Sequence, residues 1–446
     1  MSGTINANPT KEFFISMLVR DISLKDAIGD LVDNCVDGAK RLRGDNSYEG
    51  LEISISTMNN EFSITDNCGG IDLAVAEKYA FRFGRPDDME KTDYSIGQFG
   101  IGMKRSLFKL GGSFEVKSKT INNSFSMSVD VGEWKESSND WTFSFSESEI
   151  FKNPQSPEST GTTITVTDLK EDVQSAFSDP IFIQELISEL ELDHLYNLNK
   201  KLKIIFNDSP LKAKKINFTV SDDFKIGKWE KEYKGGVKVK LLVGIGSADE
   251  QLGGWYLFCN QRLIVGPDQS RLTGWTGRKG DGVANYHHQY WRFRGFAFFE
   301  AEDSSKLPWN TTKTGMNADS PIYKDVRAQM IEMMKSVING FLNSLKKENE
   351  SDYGGEKVLH KALDETKVLN VAINLEDIET SYSQDRSFSY PEPDRGKKKV
   401  DSGKTRITYM ADKDKVKKMK SFFKVTTAPQ VGSLSFDYTY ENEIEE

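Results

Sequence analysis

Cysteine and histidine are scarce in this 446-residue chain, with three of the first (Cys35, Cys68, Cys259) and four of the second, widely separated. That scarcity excludes a disulfide framework and a Cys/His zinc module, and it fits a reducing compartment. Long apolar runs are missing too, and none approaches the ~20 residues that a bilayer crossing needs. The N-terminal stretch MSGTINANPTKEFF has no basic segment followed by an apolar core, so the expectation is a cytoplasmic chain with no membrane partner. Positive charge is not in excess: the net charge is −9, which excludes a polybasic coat for nucleic acid and leaves room only for local basic patches.

What is present is ordinary globular material, 37% hydrophobic and 28% charged. At roughly 150 residues per unit the length allows about three units. Residues 23–43 carry helical periodicity, with Leu24, Ala27, Ile28, Leu31 and Cys35 on one face and Ser23 as N-cap. LEISIS (51–56) and EFSITD (61–66) alternate as the strands of a hairpin, and the second runs into Asn67-Cys68-Gly69-Gly70. Residues 81–100 read as loop and lead into a helix stopped by Gly111-Gly112. With the strand-like stretches that follow, the first unit is a helix and a lid on one face of a mainly antiparallel sheet.

Past a break near Asp179-Pro180, a helix over 181–199, several strands including KVKLLVGIG and WYLFCNQRLIV, and an amphipathic helix over 321–346 make a second α+β unit. Residues 379–405 are polar and aperiodic, as a linker is. KTRITYM, DKDKVKKMKSFFKV and SLSFDYTYENEIEE then read as a strand-helix-strand appendage or a docking tail. The expected division is 1–180, 181–346 and 347–446.

The chemistry gathers in the first unit. Asp30, Asn34 and Asp37 are spaced i, i+4, i+7, so one stripe of a helix offers oxygens while the opposite stripe is buried. Alone, such a stripe is an ordinary solvated face; order is what distinguishes it. A strand ending in Asp66 and glycines follows, then the cluster Gly97-Gln98-Phe99-Gly100-Ile101-Gly102-Met103-Lys104 before another helix, then Thr160-Gly161-Thr162. An amide oxygen from Asn34 suits Mg²⁺, a hard cation that takes few protein oxygens besides water and phosphate. Ionised Asp66 is acceptor-only, which favours an exocyclic amino group and therefore adenine over guanine. Gly70 lets backbone approach a base, and Gly97, Gly100 and Gly102 expose N–H groups at a helix start whose dipole favours phosphate. Lys104 adds a cation there, and Thr162 is placed to hold Asp66 and a bridging water.

This order resembles the GHKL (Bergerat-fold) ATPases: DNA gyrase B subunits, MutL-type mismatch-repair proteins, the ninety-kilodalton heat-shock chaperones and the MORC proteins. Asp30 through Asp37 is similar to the family's acidic helix, Asp66-Asn67-Cys68-Gly69-Gly70 to its D-x-G-x-G adenine motif with Cys68 for the first glycine, and residues 97–104 to its glycine lid. The resemblance implies an α+β fold, a Bergerat/GHKL α/β sandwich with a mobile lid at 84–104, followed by a transducer-like α+β domain. It implies ATP and Mg²⁺ as cofactors, Asp30 as general base, Asn34 as metal ligand, and a nucleotide site of Asn34, Asp37, Asp66, Gly70, residues 97–104 and Thr162. The family's base is usually glutamate; aspartate is one methylene shorter, and slow turnover is expected because small misplacements of a base are costly.

Lys313, in the loop Leu307–Gly315 before the 321–346 helix, matches the transducer lysine that reaches the terminal phosphate in such enzymes. The lid, residues 255–264 and the Lys313 loop most resemble MORC-type ATPases, including their prokaryotic relatives. That implies an ATP-driven clamp that dimerises and acts in DNA transactions or defence against foreign DNA, with double-stranded DNA and a further protein as partners. Arg271, Arg278, Lys279, Arg292 and Arg294, interleaved with Trp275, Tyr286, Tyr290 and Trp291, are candidates for phosphate contact and stacking; equally, they read as a solvated loop over buried aromatics. The alternatives are a chaperone-like ATPase with protein clients and a nucleotide-gated interaction module with little hydrolysis. A histidine kinase is disfavoured because no phospho-acceptor helix precedes the nucleotide segment, and a DNA-cleaving topoisomerase because no tyrosine sits in a cleavage context.

Overall fold

A computed structural model describes residues 9–44, 46–58, 60–84, 93–97, 100–137, 141–278, 280–310, 312–350, 355–370, 382–383, 385–394 and 407–444. The chain divides into two units, Met1–Ser351 with Gly355–Arg395, and Asp352–Gly354 with Gly396–Glu446.

Alternating apolar residues build the first sheet from β1 (Glu52–Ser56), β2 (Phe62–Asp66), β3 (Gly111–Lys119), β4 (Asn123–Asp130), β5 (Phe145–Ile150), β6 (Gly161–Leu169), β7 (Lys203–Phe206) and β8 (Ser209–Pro210). Their order is β5-β4-β3-β6-β2-β1-β7-β8, and the pairing is antiparallel except between β1 and β7. Period two sends Ile53, Ile55, Phe62, Ile64, Phe114, Val116, Ile164 and Val166 into the core.

Helices α1 (Lys11–Arg20), α2 (Leu24–Arg43), α3 (Leu73–Val75), α4 (Gly102–Leu110), α5 (Val131–Glu136), α6 (Glu171–Ser178), α7 (Pro180–Asp193) and α8 (Leu195–Asn199) accompany the sheet. Ile28, Leu31, Val32 and Val36 of α2 and Leu107 and Phe108 of α4 join the same core. Ser23 caps α2, its Oγ accepting from the Asp26 N–H at 3.1 Å. At the other end Gly44, with φ of 58°, donates its N–H to Lys40 O at 2.7 Å, a left-handed stop that glycine makes without steric cost.

The second sheet comprises β10 (Gly227–Tyr233), β11 (Val237–Ile245), β12 (Gly254–Cys259), β13 (Arg262–Asp268) and β14 (Phe293–Glu300), in the order β10-β11-β14-β12-β13. β9 (Asn217–Val220) pairs instead with β15 (Lys367–Asn370). Strand β12 is buried along its whole length because both its faces are covered, hence its uninterrupted apolar sequence. Trp255 and Leu257 join the main core, while Tyr256 and Phe258 join a separate cluster with Phe218, Phe296 and Phe298. Helix α9 (Pro321–Lys335) lies on the first of these faces, where Trp255 Nε1 donates to Met334 Sδ at 3.3 Å.

Several sequence expectations are corrected. The helix over 181–199 is two helices, α7 and α8, divided at His194. The helix over 321–346 is α-helical to Lys335, widens into a π-helical segment at Ser336–Leu342, and resumes as α10 (Asn343–Glu348). Part of the stretch read as linker is packed: Phe388 is buried and stacks on Phe224, with Tyr390 against Phe341, so two aromatics anchor a segment whose neighbours are polar. Between these lies α11 (Val358–Asp364). In the second unit the strand-helix-strand expectation fails, since the described residues form α12 (Lys413–Phe423) and α13 (Ala428–Glu443). Thr427 and Gln430 make a reciprocal capping box, and Pro429 sits in the first turn, so local start signals override the period-two pattern of Leu434, Phe436, Tyr438 and Tyr440.

Candidate nucleotide site

The polar stripe of α2 is an interior surface. Asp30, Asp33 and Asp37 are all buried, and Asn34 is half-buried. Asp37 accepts from the backbone N–H groups of Ile96 at 2.8 Å and Gly97 at 2.7 Å, so it anchors the segment 93–97 on α2. A Cβ at Gly97 would lie 3.1 Å from Asp37 Oδ2 and 3.4 Å from Asn34 Oδ1, an approach that a side chain would obstruct. Asn34 Nδ2 is buried with no hydrogen-bond partner among the described residues. The same segment is tied to the second sheet, with Tyr94 N–H donating to Glu302 O at 3.1 Å and Asn260 Nδ2 to Ser95 O at 3.4 Å.

Asp66 closes β2 and is paired in register with Thr162. Its carboxylate accepts from Cys68 N–H at 2.7 Å. Burial pushes its pKa up, against the opposing pull of the Cys68 N–H and the Cys35 thiol. Cys68 takes a negative φ without strain and is buried under α2, where a Cβ on Gly38 would come within 2.7 Å of Cys68 O. Gly70 has φ of 72°, and a Cβ there would sit 2.2 Å from Lys119 O, so glycine is required twice over. Thr162 supports Asp66 through its backbone N–H, while its hydroxyl pairs with Ser118 Oγ at 2.9 Å, because β3 and β6 put these two opposite each other on the inner face. Ser118 also accepts from Ile71 N–H at 2.7 Å, a role that spacing gave no sign of.

At the other end, Gln98, Phe99 and residues 85–92 of the expected lid lie outside the described residues. Gly100 has φ of 63°, Ile101 is half-buried and Met103 is buried. Helix α4 begins at Gly102 with no side-chain cap, and a Cβ on Gly102 would lie 3.1 Å from Asp30 Oδ2. Lys104 donates to Ala80 O at 2.8 Å and to Gly100 O, and burial lowers its pKa to about 7. Its neighbour Arg105 is the α4 cation on Asp30, with Nη2 to Oδ2 at 2.6 Å.

Lys313, from the loop after β14, reaches the same stripe across 283 residues of sequence. Its Nζ lies 3.0 Å from Asp30 Oδ1 and 2.7 Å from Asp33 Oδ2. Arg262 at the head of β13 completes the joint, donating to Asp33 Oδ1 at 2.8 Å, Asp193 Oδ2 at 3.1 Å and Lys313 O at 3.3 Å. Burial alone would raise the Asp33 pKa, but Arg262 and Lys313 hold it well below the usual carboxylate range. Burial likewise opposes the Lys313 charge, and Asp30 and Asp33 outweigh it. His194 lies 3.7 Å from Asp33 Oδ1, and burial lowers its pKa to about 4. Sequence reasoning missed Arg105, Asp33 and Arg262; the one available signal was an arginine three residues past the apolar run of β12.

A family model described as histidine kinase-, DNA gyrase B- and HSP90-like ATPase matches residues 22–162, the span from the start of α2 to Thr162. That segment is a GHKL-type ATPase domain. No curated protein matches the chain. The α+β architecture agrees with the GHKL fold, and the matched domain contains the α2 stripe, Asp66 and the start of α4, while Lys313 and Arg262 come from outside it.

Two other features bear on function. The mixed arginine and aromatic patch is divided: Trp275, Tyr290 and Arg294 are buried, Tyr286, Trp291 and Arg292 are half-buried, and Arg294 donates to the carbonyls of Trp291, Phe293 and Ser247. Arg271 and Arg278 are exposed, and Lys279 lies outside the described residues. A cavity of about 800 Å³ opens along the first sheet, lined by Asp66 and Thr162 of the candidate site together with the register partners Lys117, Thr163, Ser126 and Glu147, and no residue of α2 lines it. Among the described residues no helix is long and apolar enough to cross a membrane.

Proposed function

We propose that the chain is a Mg²⁺-dependent ATPase of slow turnover, working as an ATP-gated clamp of MORC type that closes as a homodimer. The observation that carries this reading is Lys313: a loop outside the ATPase domain brings an ammonium 3.0 Å from Asp30, beside the candidate base. The residues fit the nucleotide. Asn34 turns Oδ1, the atom able to take Mg²⁺, toward the Gly97 approach and keeps Nδ2 as a buried donor with no partner among the described residues, α4 starts without a cap, and Asp66 is held as an acceptor. Bound Mg²⁺ would polarise phosphate oxygens as a Lewis acid.

On this reading Asp66 orients the base, Asn34 holds the metal, and Asp30 polarises the attacking water. Lys313 neutralises charge on the terminal phosphate and couples its presence to the second sheet through the Arg262 joint. The clamp acts on double-stranded DNA or a DNA-processing protein, in DNA transactions or defence against foreign DNA. With much of the Trp275–Arg294 patch interior, support for DNA contact rests on the exposed lysines of α12 and on Arg271 and Arg278. Steady-state ATP turnover with and without double-stranded DNA, against Asn34→Ala as background, tests the reading. Turnover above background and stimulated by DNA is expected, and light scattering with an ATP analogue should report a doubled mass.

A second reading, a nucleotide-gated module without hydrolysis, is favoured by one observation: both oxygens of Asp30 are engaged by cations. ATP binding with turnover no higher than in Asn34→Ala would select it.

A further inference from the structure

The nucleotide reading leaves Arg105 without a role. This residue lies on α4, is 7% exposed, and has Asp30 as its acidic partner at 2.6 Å. Its Nε is buried and meets no acceptor among the described residues. An unpaired buried guanidinium nitrogen is costly, and such a group stays poised for a further anionic partner. Lys313, the other cation on Asp30, differs because it keeps Asp33 as a second anchor at 2.7 Å. Of the two, Arg105 is the one whose acidic contact is undivided, so an arriving anion changes its balance most.

Asp30 is correspondingly masked. One oxygen is held by Arg105 and the other by Lys313, so neither is free to contact an attacking water. The uncapped start of α4 adjoins the same carboxylate, since a Cβ on Gly102 would lie 3.1 Å from Asp30 Oδ2. An anion drawn to that helix start therefore arrives beside the Arg105–Asp30 pair. A guanidinium offers phosphate the same planar fork it offers carboxylate.

Resting on the ATP-binding reading, we infer that Arg105 is a terminal-phosphate ligand that exchanges Asp30 for the γ-phosphate, so Oδ2 of the base is unmasked only when a triphosphate is bound. The exchange swaps one anionic partner of the guanidinium for another and makes or breaks no covalent bond. It makes Arg105 both the discriminator of triphosphate from diphosphate and the gate on hydrolysis.

The test is equilibrium binding of ATP and of ADP, with Mg²⁺, to the full chain by calorimetry, for the wild type, Arg105→Gln and Arg105→Lys. Arg105→Gln should weaken ATP by about tenfold or more while moving ADP by less than about twofold, and Arg105→Lys should recover part of the loss. Equal losses for ATP and ADP, or no loss for either, overturn the exchange. A wild type that binds neither nucleotide overturns the parent reading instead. Should Arg105→Gln fail to fold, the charge-balanced double variant Asp30→Asn with Arg105→Gln must show the same ATP-selective loss against Asp30→Asn alone.

Discussion

Lys104 and Lys313 are both more than nine-tenths buried, both stand near the acidic stripe of α2, and the protein treats them in opposite ways. Among the described residues Lys104 has only carbonyls, of Ala80 and Gly100, and burial drives its pKa down to about 7. Lys313 has two carboxylates, and they more than offset the same burial. Desolvation penalises any buried ammonium, so the presence of a full opposing charge decides whether the proton is held. The lesson concerns function as well: Lys313 is a fixed cation, while Lys104 sits at a charge threshold that an incoming phosphate would shift.

The largest expected effect attacks the paired lysine. Asp33→Ala leaves Lys313 and Arg262 without their shared, fully buried acceptor, and urea unfolding should show a loss of about 3–5 kcal/mol. A loss under about 1 kcal/mol would mean that Asp30 and Asp193 suffice and would dissolve the contrast. Lys313→Met should lower ATP turnover by about 10²–10³-fold with ATP affinity nearly unchanged, a split read from kcat and equilibrium binding. If affinity falls as far as turnover, Lys313 is a binding residue only.

Lys104→Met sharpens the other side. The unfolded lysine keeps its proton up to its ordinary pKa of 10.5, whereas the folded one releases it near about 7. Between these values the unfolded state binds more protons, so wild-type stability rises with pH, and below them the penalty is full. Lys104→Met lacks that rise. Its stability relative to the wild type should be most favourable near pH 6 and should decline as pH climbs from about 7, by up to about 1.4 kcal/mol per unit. Parallel stability profiles by chemical denaturation would remove the threshold assigned to Lys104.

The smallest effect isolates burial from distance. Lys201 and Glu49 pair at 2.6 Å, as short as any contact around Asp30, but on the surface. Lys201→Ala should leave the melting temperature within about 1 °C of the wild type, because solvent screens exposed pairs.

Much of the site was legible because its signals are local. The stripe Asp30, Asn34, Asp37 follows from helical period, and the Asp66–Gly70 turn from a strand running into glycines. What stayed hidden was the destination of each side chain. Asp37 binds backbone N–H groups, Thr162 turns to Ser118, and Arg105 rather than Lys104 meets Asp30. Neighbouring residues on a helix point about 100° apart, so a one-residue difference in which cation faces the acid cannot be read without the packing of α4 on α2.

The sequence by itself determined what depends on near neighbours: the Ser23 cap, the Gly44 stop, the alternation of β1 and β2, and the glycines at 70, 97 and 102. Tertiary structure alone decided which charges meet. Asp33 and Arg262 are 229 residues apart, and Asp30 and Lys313 are 283 apart. It also decided that Trp275 and Arg294 belong to the interior and that the tail forms helices α12 and α13. Caps and periods act over a few residues through backbone geometry, whereas the partner of a buried charge is set by whichever elements pack around it, and spacing carries no record of that choice.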